Sequence, residues 1–436
     1  MKIQSPPGMR DFYPEDMRVQ NWLFDAWRRA SRAFGFSEYE GPIFEYLDLY
    51  TLKSGQEIVD QLFRFQDRGE RNFAIRPEMT PTLARMVAAR ANTLPRPIKW
   101  FSIPRMCRAE RPQRGRLREF YQWNVDILGV EDPLADAEVI AVAVAFLRDV
   151  GLGPEDVVID LNSRELAGSF LEQLGIAPDK LNRAFELIDR FDRLARDDFC
   201  QLWDAEFAPH IRAETILSQY LERDITLHEY SDPDTARTES EQVARTRFWE
   251  LSANLNKLGV RDHVRVNQKL VRGLAYYTGI VFELHARKGG LRALMGGGRY
   301  DDLTSLLDAP RVPAVGFGMG DAPVIQLLRD IGRLPDTPDQ LDVYVIDADS
   351  ELFATALQLV GDLRGHNLAT DFSYKRVAVA KQFKQAAARG AGYAVVVGTE
   401  YTKRQELTVK NLATGNQQAV PADQLREAPI PTLRAI

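Results

Sequence analysis

The sequence predicts an α+β core built on antiparallel strands, interrupted by a helical insertion and followed by a small, separate α/β domain. Three observations predict it. Trp100 to Arg108 and Phe120 to Leu128 have strand character and are joined by a long polar loop, the pattern of an antiparallel pair. From about Asn162 to Arg261 the apolar spacing is helical, with scattered charges and no cluster of chemically active residues. Beyond a Pro- and Asp-rich linker, Arg333 to Gln340, strands and helices alternate to the end of the chain.

The remaining elements follow in chain order. Arg18 to Ala33 reads as an amphipathic helix with Trp22, Leu23, Trp27 and Ala30 on one face. Gly41-Pro42 breaks the chain ahead of an apolar stretch containing Ile43 and Phe44. Thr80 to Ala91 reads as a helix with Pro81 in its first turn, where the missing N–H is harmless, and Asp136 to Val150 as another. Strand character resumes around Leu270, at Ile280 to Leu284, at Gly296-Gly297-Gly298 and at Val315 to Met319. In the last domain Leu341 to Ile346, Tyr393 to Val397 and Leu407 to Lys410 are strands, and Glu351 to Leu363 and Ala378 to Arg389 are helices. The expected division is a core over 1–330 with an insertion at about 162–261, a linker at 331–340 and a second domain at 341–436.

Composition removes several function classes. The net charge of −6 means that any nucleic acid must be held by local basic patches. The two cysteines, Cys107 and Cys200, are far apart and have no partner at metal-ligand spacing, which argues against a disulfide framework or a zinc site and for a reducing cytoplasm. The first residues contain no apolar signal core, and the most apolar run, Val139 to Leu147, is too short to span a bilayer. No histidine pair has metal spacing and no Gly-x-Ser-x-Gly elbow occurs, so zinc-enzyme and serine-hydrolase readings lack an anchor.

Four segments can carry chemistry. Along Phe120 to Ile127 the period is two, which puts Gln122, Asn124 and Asp126 on one strand face. The loop before it holds Arg108, Arg111, Arg114, Arg116 and Arg118, whose guanidinium forks suit phosphate oxygens; a solvated charge run paired with Glu110 and Glu119 is the competing reading. Arg76-Pro77-Glu78-Met79-Thr80-Pro81 sets a carboxylate and a hydroxyl at a helix start, either as a cap or as an anchor for a ligand ammonium. Arg272 is a lone cation in the apolar, aromatic Leu270 to Gly279 segment, and a buried arginine needs an anion. Alternating glycines in Gly316-Phe317-Gly318-Met319-Gly320 suggest a flat group, or a neighbouring chain, lying against the backbone.

Taken in order, these segments resemble the histidyl-tRNA synthetase family of class II aminoacyl-tRNA synthetases. RPEMTPTLAR is similar to its Arg-Pro-Glu-x-Thr segment, FSIPRMCRAERPQRGRLREFYQWNVDILG to class II motif 2, LVRGLAYYTGIVFE and GGGRYD to its signature, and PAVGFGMG to the start of motif 3. The resemblance implies an antiparallel sheet flanked by helices, an insertion and a C-terminal anticodon-binding domain. It implies a homodimer with motif 1 around Gly41-Pro42 at the interface, L-histidine and ATP as substrates, Mg²⁺ as the accompanying ion, and tRNA(His) as partner. It assigns Glu78, Met79 and Thr80 to the histidine α-amino group and its surroundings, and Gln122, Asp126, Tyr276 and Tyr277 to the amino-acid pocket. Arg108 and Arg272 would act on the α-phosphate, with Glu110, Arg116 and Gly318 at the nucleotide.

Three positions depart from the family pattern. Ala275 replaces the usual Asp of the signature, and Asp126 stands where Glu is common. Gly320-Asp321-Ala322-Pro323 stands where Gly-x-Glu-Arg is expected, so the arginine for the ATP γ-phosphate is missing; Arg114 and Arg116 are its candidate replacements. The alternative function is the non-catalytic regulatory subunit of ATP phosphoribosyltransferase, which normally lacks the anticodon domain.

Overall fold

The computed structural model describes residues 4–51, 62–115, 117–208, 210–223, 225–271, 276–338 and 341–436. The chain separates into two compact units, one of residues 1–11 and 20–334, the other of residues 12–19 and 335–436.

Among the described residues of the larger unit, nine strands share one sheet. Its path runs Ser37–Glu38, Ile98–Ser102, Glu119–Leu128, Ala314–Gly320, Met295–Arg299, Ile280–Ala286, Val157–Ser163 and Val264–Val266. The centre is antiparallel, and each outermost pairing is parallel. The expected strand from Trp100 to Arg108 is two pieces, Ile98–Ser102 and Arg105–Cys107, both paired with Glu119–Leu128. Pro104, which has no N–H to give a ladder, sits at the break, and its carbonyl accepts from the Gln122 N–H at 3.1 Å.

Apolar sequence explains the layers. The helix at Pro133–Asp149 starts on an Asp132 cap, whose carboxylate accepts from the Leu134 N–H at 2.8 Å, and nearly every apolar side chain along it is buried. The first helix runs Pro14–Ala33 and buries Leu23, Phe24, Trp27 and Ala30, while Trp22 is only half-buried. Trp27 stacks on Trp123 of the central strand at 5.8 Å. Helices Arg164–Gln173, Leu181–Asp189 and Arg196–Phe207 share a core of their own with Phe199, Trp203 and Tyr220. Two strands not among the expected elements flank this helical region: Val157–Ser163 is buried along its whole length although Asp160 and Asn162 alternate with Ile159 and Leu161, and Val264–Val266 is too short to carry a pattern. Leu270, expected to be strand, follows a turn instead.

A second, three-stranded sheet orders Phe44–Tyr46, Asn72–Ile75 and Arg64–Gln66. The Gly41-Pro42 break ahead of it is held by Arg76, which is buried and donates from Nη1 to Glu40 Oε1 at 2.6 Å and to the Gly41 carbonyl at 2.9 Å.

The smaller unit contains a five-stranded sheet in the order Thr370–Phe372, Leu341–Asp347, Ala391–Val397, Glu406–Asn411, Gln417–Pro421. The first two pairings are parallel and the last two antiparallel. Helices Phe353–Gly365 and Val379–Ala388 bury Leu359, Leu363 and Ala386 against it. The two edge strands, at 370 and 417, were not foreseen.

Candidate functional site

A cleft of about 820 Å³ opens over the central sheet of the larger unit. Strands Glu119–Leu128 and Ala314–Gly320 form its floor, paired so that Gln122 faces Gly320, Asn124 faces Gly318 and Asp126 faces Gly316. The period of two puts the three polar side chains on one face, as the sequence suggests. The glycines opposite make room for them. A β-carbon at Gly318 would stand 2.7 Å from the Gln122 carboxamide carbon, and one at Gly316 would stand 1.9 Å from Asp126 Oδ1. The alternating glycines therefore face a row of polar side chains, while Gly316, Gly318 and Gly320 still line the cleft.

Asp126 shares this strand face but does not line the cleft. It is 4% exposed and accepts a hydrogen bond from Tyr300 Oη at 2.6 Å. Burial pushes its carboxyl up to about 7, against the downward pull of the Tyr300 hydrogen bond. Tyr300 belongs to Gly296-Gly297-Gly298-Arg299-Tyr300-Asp301, and its two neighbours turn away from the cleft into a buried ion network. Arg299 bonds Asp136 through Nε and Nη2 and reaches the Val130 carbonyl at 3.0 Å, and Asp301 accepts from the Ala314 N–H at 3.1 Å.

The Arg76 to Pro81 segment supplies the opposite wall. Its helix runs Thr80–Ala88, with Met79 at the N-cap and no side-chain cap bond, so neither Glu78 nor Thr80 is the cap. Both line the cleft instead. Glu78 is buried and accepts from Tyr276 Oη at 3.0 Å, and Tyr277 packs on Tyr276 at 4.8 Å. Met79 is buried at 1% exposure and does not line the cleft. Arg108 does: its Nε donates to the Pro77 carbonyl at 2.9 Å and its guanidinium lies 5.0 Å from the centre of the Phe120 ring.

The structure thus brings Glu78, Thr80, Arg108, Gln122, Tyr276, Tyr277 and Gly318 to one cleft, with Asp126 buried on the same strand face and outside its lining. Glu110 is half-buried beyond it. Arg116 and Arg272 lie outside the described residues. Arg114, a candidate for the missing arginine, is paired with Asp330 Oδ2 at 2.8 Å and does not line the cleft.

Several further residues line the cleft. Asn124 shares the polar face and is 4% exposed; its position in the alternation was the available signal. Tyr300 is marked only by adjacency to a charged pair. Arg292, on the cleft wall, donates to Gln113 Oε1 at 2.7 Å, and nothing local in the sequence distinguishes it. At one end, Asp160 holds Arg265 Nε at 2.5 Å and Asn267 Nδ2 at 2.8 Å, a grouping made only by the parallel pairing of their strands. The start of the helix Asp321–Asp330 closes the other side with Ala322 and Pro323. Asp321 is fully buried, where Arg10 Nη2 donates to Oδ2 at 2.7 Å and the Tyr121 N–H to Oδ1 at 3.0 Å.

Comparison with known proteins finds two matching family profiles. Residues 8–322 match the family profile described as histidyl-tRNA synthetase, and residues 342–429 match one described as an anticodon binding domain. The chain is 39% identical over 426 residues to the histidine–tRNA ligase of Opitutus terrae, covering 97% of both chains. It is 36% identical over 424 residues to the chloroplastic/mitochondrial histidine–tRNA ligase of Arabidopsis thaliana, covering 97% of this chain and 86% of that one. The crystal structure of histidyl-tRNA synthetase from Nostoc sp. PCC 7120 superposes with a TM-score of 0.82 at 24% identity, over 99% of this chain and all of that one.

Proposed function

The chain belongs to the histidyl-tRNA synthetase family, and from that premise we propose that its cleft activates L-histidine with ATP and passes it to the 3′ end of tRNA(His). The enzyme is an aminoacyl-tRNA synthetase of class II, with a class II core and an anticodon-binding domain. The regulatory-subunit alternative is less supported, since the ligase match runs the length of the chain and includes that second domain.

The observation that carries the site assignment is the convergence of Glu78, Thr80, Arg108, Gln122, Tyr276 and Tyr277 in one cleft. Glu78 and Thr80 hold the histidine α-ammonium, with Tyr276 fixing the Glu78 carboxylate. Gln122, Asp126 and Tyr277 receive the side chain, and a pocket built on hydrogen bonds rejects amino acids that cannot complete them. In the first step the histidine carboxylate attacks the α-phosphorus and pyrophosphate leaves. The chain's work is to position two anions and neutralise growing charge, for which Arg108 and Arg272 are the assigned cations. Glu110, Arg116 and Gly318 belong to the nucleotide in this reading, and Met79 supports Glu78 and Thr80 from the core.

Mg²⁺ fits as the counter-ion of ATP. Among the described residues no three side chains of ligating type gather, so the ion would be held chiefly by phosphate oxygens and water, its usual mode with nucleotides. Among the described residues no helix is long and apolar enough to cross a membrane, and cytoplasm is the proposed compartment.

A homodimer is part of the proposal, and the strand Phe44–Tyr46 supports it. Glu45 is 7% exposed and paired inward with Arg85 at 2.6 Å, while Phe44 and Tyr46 are 44% and 54% exposed. The strand turns its charge in and its rings out. Phe65, 41% exposed, extends the aromatic face at 5.3 Å from Phe44, and Phe73, itself buried, packs against Phe44 at 5.4 Å. A second copy covers such a face without leaving rings in water.

The test of the activity is ATP–pyrophosphate exchange. Exchange that depends on histidine and Mg²⁺ is expected; folded protein giving none would return the chain to the regulatory-subunit reading.

A further inference from the structure

Two aromatic side chains of the smaller unit, Tyr13 and Tyr374, stand largely outside its core. Tyr374 is 82% exposed, the most exposed of the large apolar and aromatic side chains among the described residues. A single exposed tyrosine needs no explanation by itself. This one stands on a loop whose backbone is fixed. Ser373 Oγ donates to the Lys375 carbonyl at 2.7 Å, and Arg376 Nη2 donates to the Ser373 carbonyl at 2.5 Å. Arg376 Nη1 reaches Asp347 Oδ2 at 2.6 Å, and the fully buried Gln382 donates from Nε2 to the Val377 carbonyl at 2.9 Å. Beneath the loop, Arg376 lies 3.3 Å from the centre of the Phe353 ring. Tyr374 leans on Phe372 at 4.8 Å and leaves the rest of its ring to solvent.

The chain around it is predominantly basic, although Arg376 is paired with Asp347 and Arg389 with Asp371. Between Asp371 and Glu400 the chain has no acidic residue, yet it carries Lys375, Arg376, Lys381, Lys384 and Arg389, in a protein of net charge −6. Lys375, Lys381 and Lys384 are exposed on the loop and the helix that follows it. An exposed ring among cations, on a loop held by hydrogen bonds, is the arrangement that binds unpaired bases: the ring stacks on any base and the cations track the phosphates.

We propose that Tyr374 is the stacking platform for an unpaired base of the bound tRNA, with Lys375, Lys381 and Lys384 on the flanking phosphates. The assignment rests on the reading of the chain as a tRNA-charging enzyme and adds to it the residue and the contact.

The test uses the full-length enzyme carrying Tyr374→Ala, Tyr374→Trp, or Lys381→Glu with Lys384→Glu. Histidine-dependent pyrophosphate exchange should be unchanged in all three. Tyr374→Ala should lower kcat/KM for tRNA roughly tenfold, the scale of one lost base–aromatic stack. Tyr374→Trp should restore charging, and its indole fluorescence should change when tRNA is added. The double lysine variant should charge less well and show a weaker salt dependence. Wild-type charging by Tyr374→Ala, alongside impaired charging by the lysine variant, would overturn the platform and leave the domain's role standing. Wild-type charging by both would remove the tRNA surface from this loop. Absent exchange in the unmodified enzyme would instead strike the activity on which the proposal rests.

Discussion

Gly316 faces Asp126 across two antiparallel strands, and a β-carbon at Gly316 would stand 1.9 Å from the Asp126 carboxylate oxygen. The glycine is thus part of the pocket: the carboxylate occupies the volume that any other residue would fill. Gly316→Ala should push Asp126 off its hydrogen bond with Tyr300. Overpacking of this kind costs about 1–3 kcal/mol. If that is expressed in binding, KM for histidine rises roughly 5- to 150-fold, with KM for ATP much less affected. Equal rises in the two constants, or a wild-type value for histidine, would show that the carboxylate moves without consequence.

Asp126→Asn should weaken histidine recognition, because a neutral amide accepts less strongly from a ring N–H. Its pH dependence follows from burial, which raises the carboxyl from 3.8 to about 7. The groups facing it are Tyr300, hydrogen-bonded to it, and Tyr39, itself buried. The wild-type kcat/KM for histidine should therefore rise as pH increases through about 7, as the carboxylate forms. Free histidine also titrates near 6.5, so the informative quantity is the difference between wild-type and Asp126→Asn profiles. Stability should run the other way. Between about 4 and about 7 the folded chain binds more protons here than the unfolded chain, so this group's contribution falls as pH rises across that window and is level above it. Identical profiles for the two proteins would make Asp126 a bystander.

Phe44→Asp with Tyr46→Asp should convert a dimer to monomers by sedimentation. The two side chains face solvent and Glu45 keeps its inward pair with Arg85, so the fold of the protomer should persist. An unchanged sedimentation coefficient in both proteins at micromolar concentration would place the dimer contact elsewhere or nowhere.

What the sequence revealed follows from how local each signal is. The Gln122–Asn124–Asp126 face was legible because side-chain alternation is a property of one strand. Its pairing with Gly316, Gly318 and Gly320 was not, since those strands meet only after nearly two hundred residues of intervening chain. The helix at Pro133–Asp149 announced itself by apolar content, while in Val157–Ser163 the polar Asp160 and Asn162 alternate with Ile159 and Leu161 over too few residues to announce a strand that is buried on both faces. Thr80 illustrates a reversal. A hydroxyl beside a helix start is more often a cap, and here the cap bond is absent and the residue lines the cleft.

The last consequence concerns the missing cation. Aligned on Gly320, the family's motif 3 arginine falls at Pro323, which lines the cleft beside the arginine-rich loop: a β-carbon at Gly115 would lie 3.7 Å from both Pro323 Cβ and Leu291 Cδ2. The γ-phosphate of ATP still needs compensating charge in a site of limited water. Arg114 is spoken for by Asp330 and does not reach the cleft wall. Arg292, next to Leu291, lies on that wall and is tied to the same loop through Gln113. Arg292→Ala should therefore raise KM for ATP with little change in KM for histidine, and added Mg²⁺ should recover part of the loss by shielding the phosphate. Arg114→Ala should behave as wild type in the same series. If Arg114→Ala raises KM for ATP and Arg292→Ala does not, the loop must swing inward when the nucleotide binds and exchange Asp330 for phosphate. If neither does, Arg116 is the arginine left to compensate the γ-phosphate.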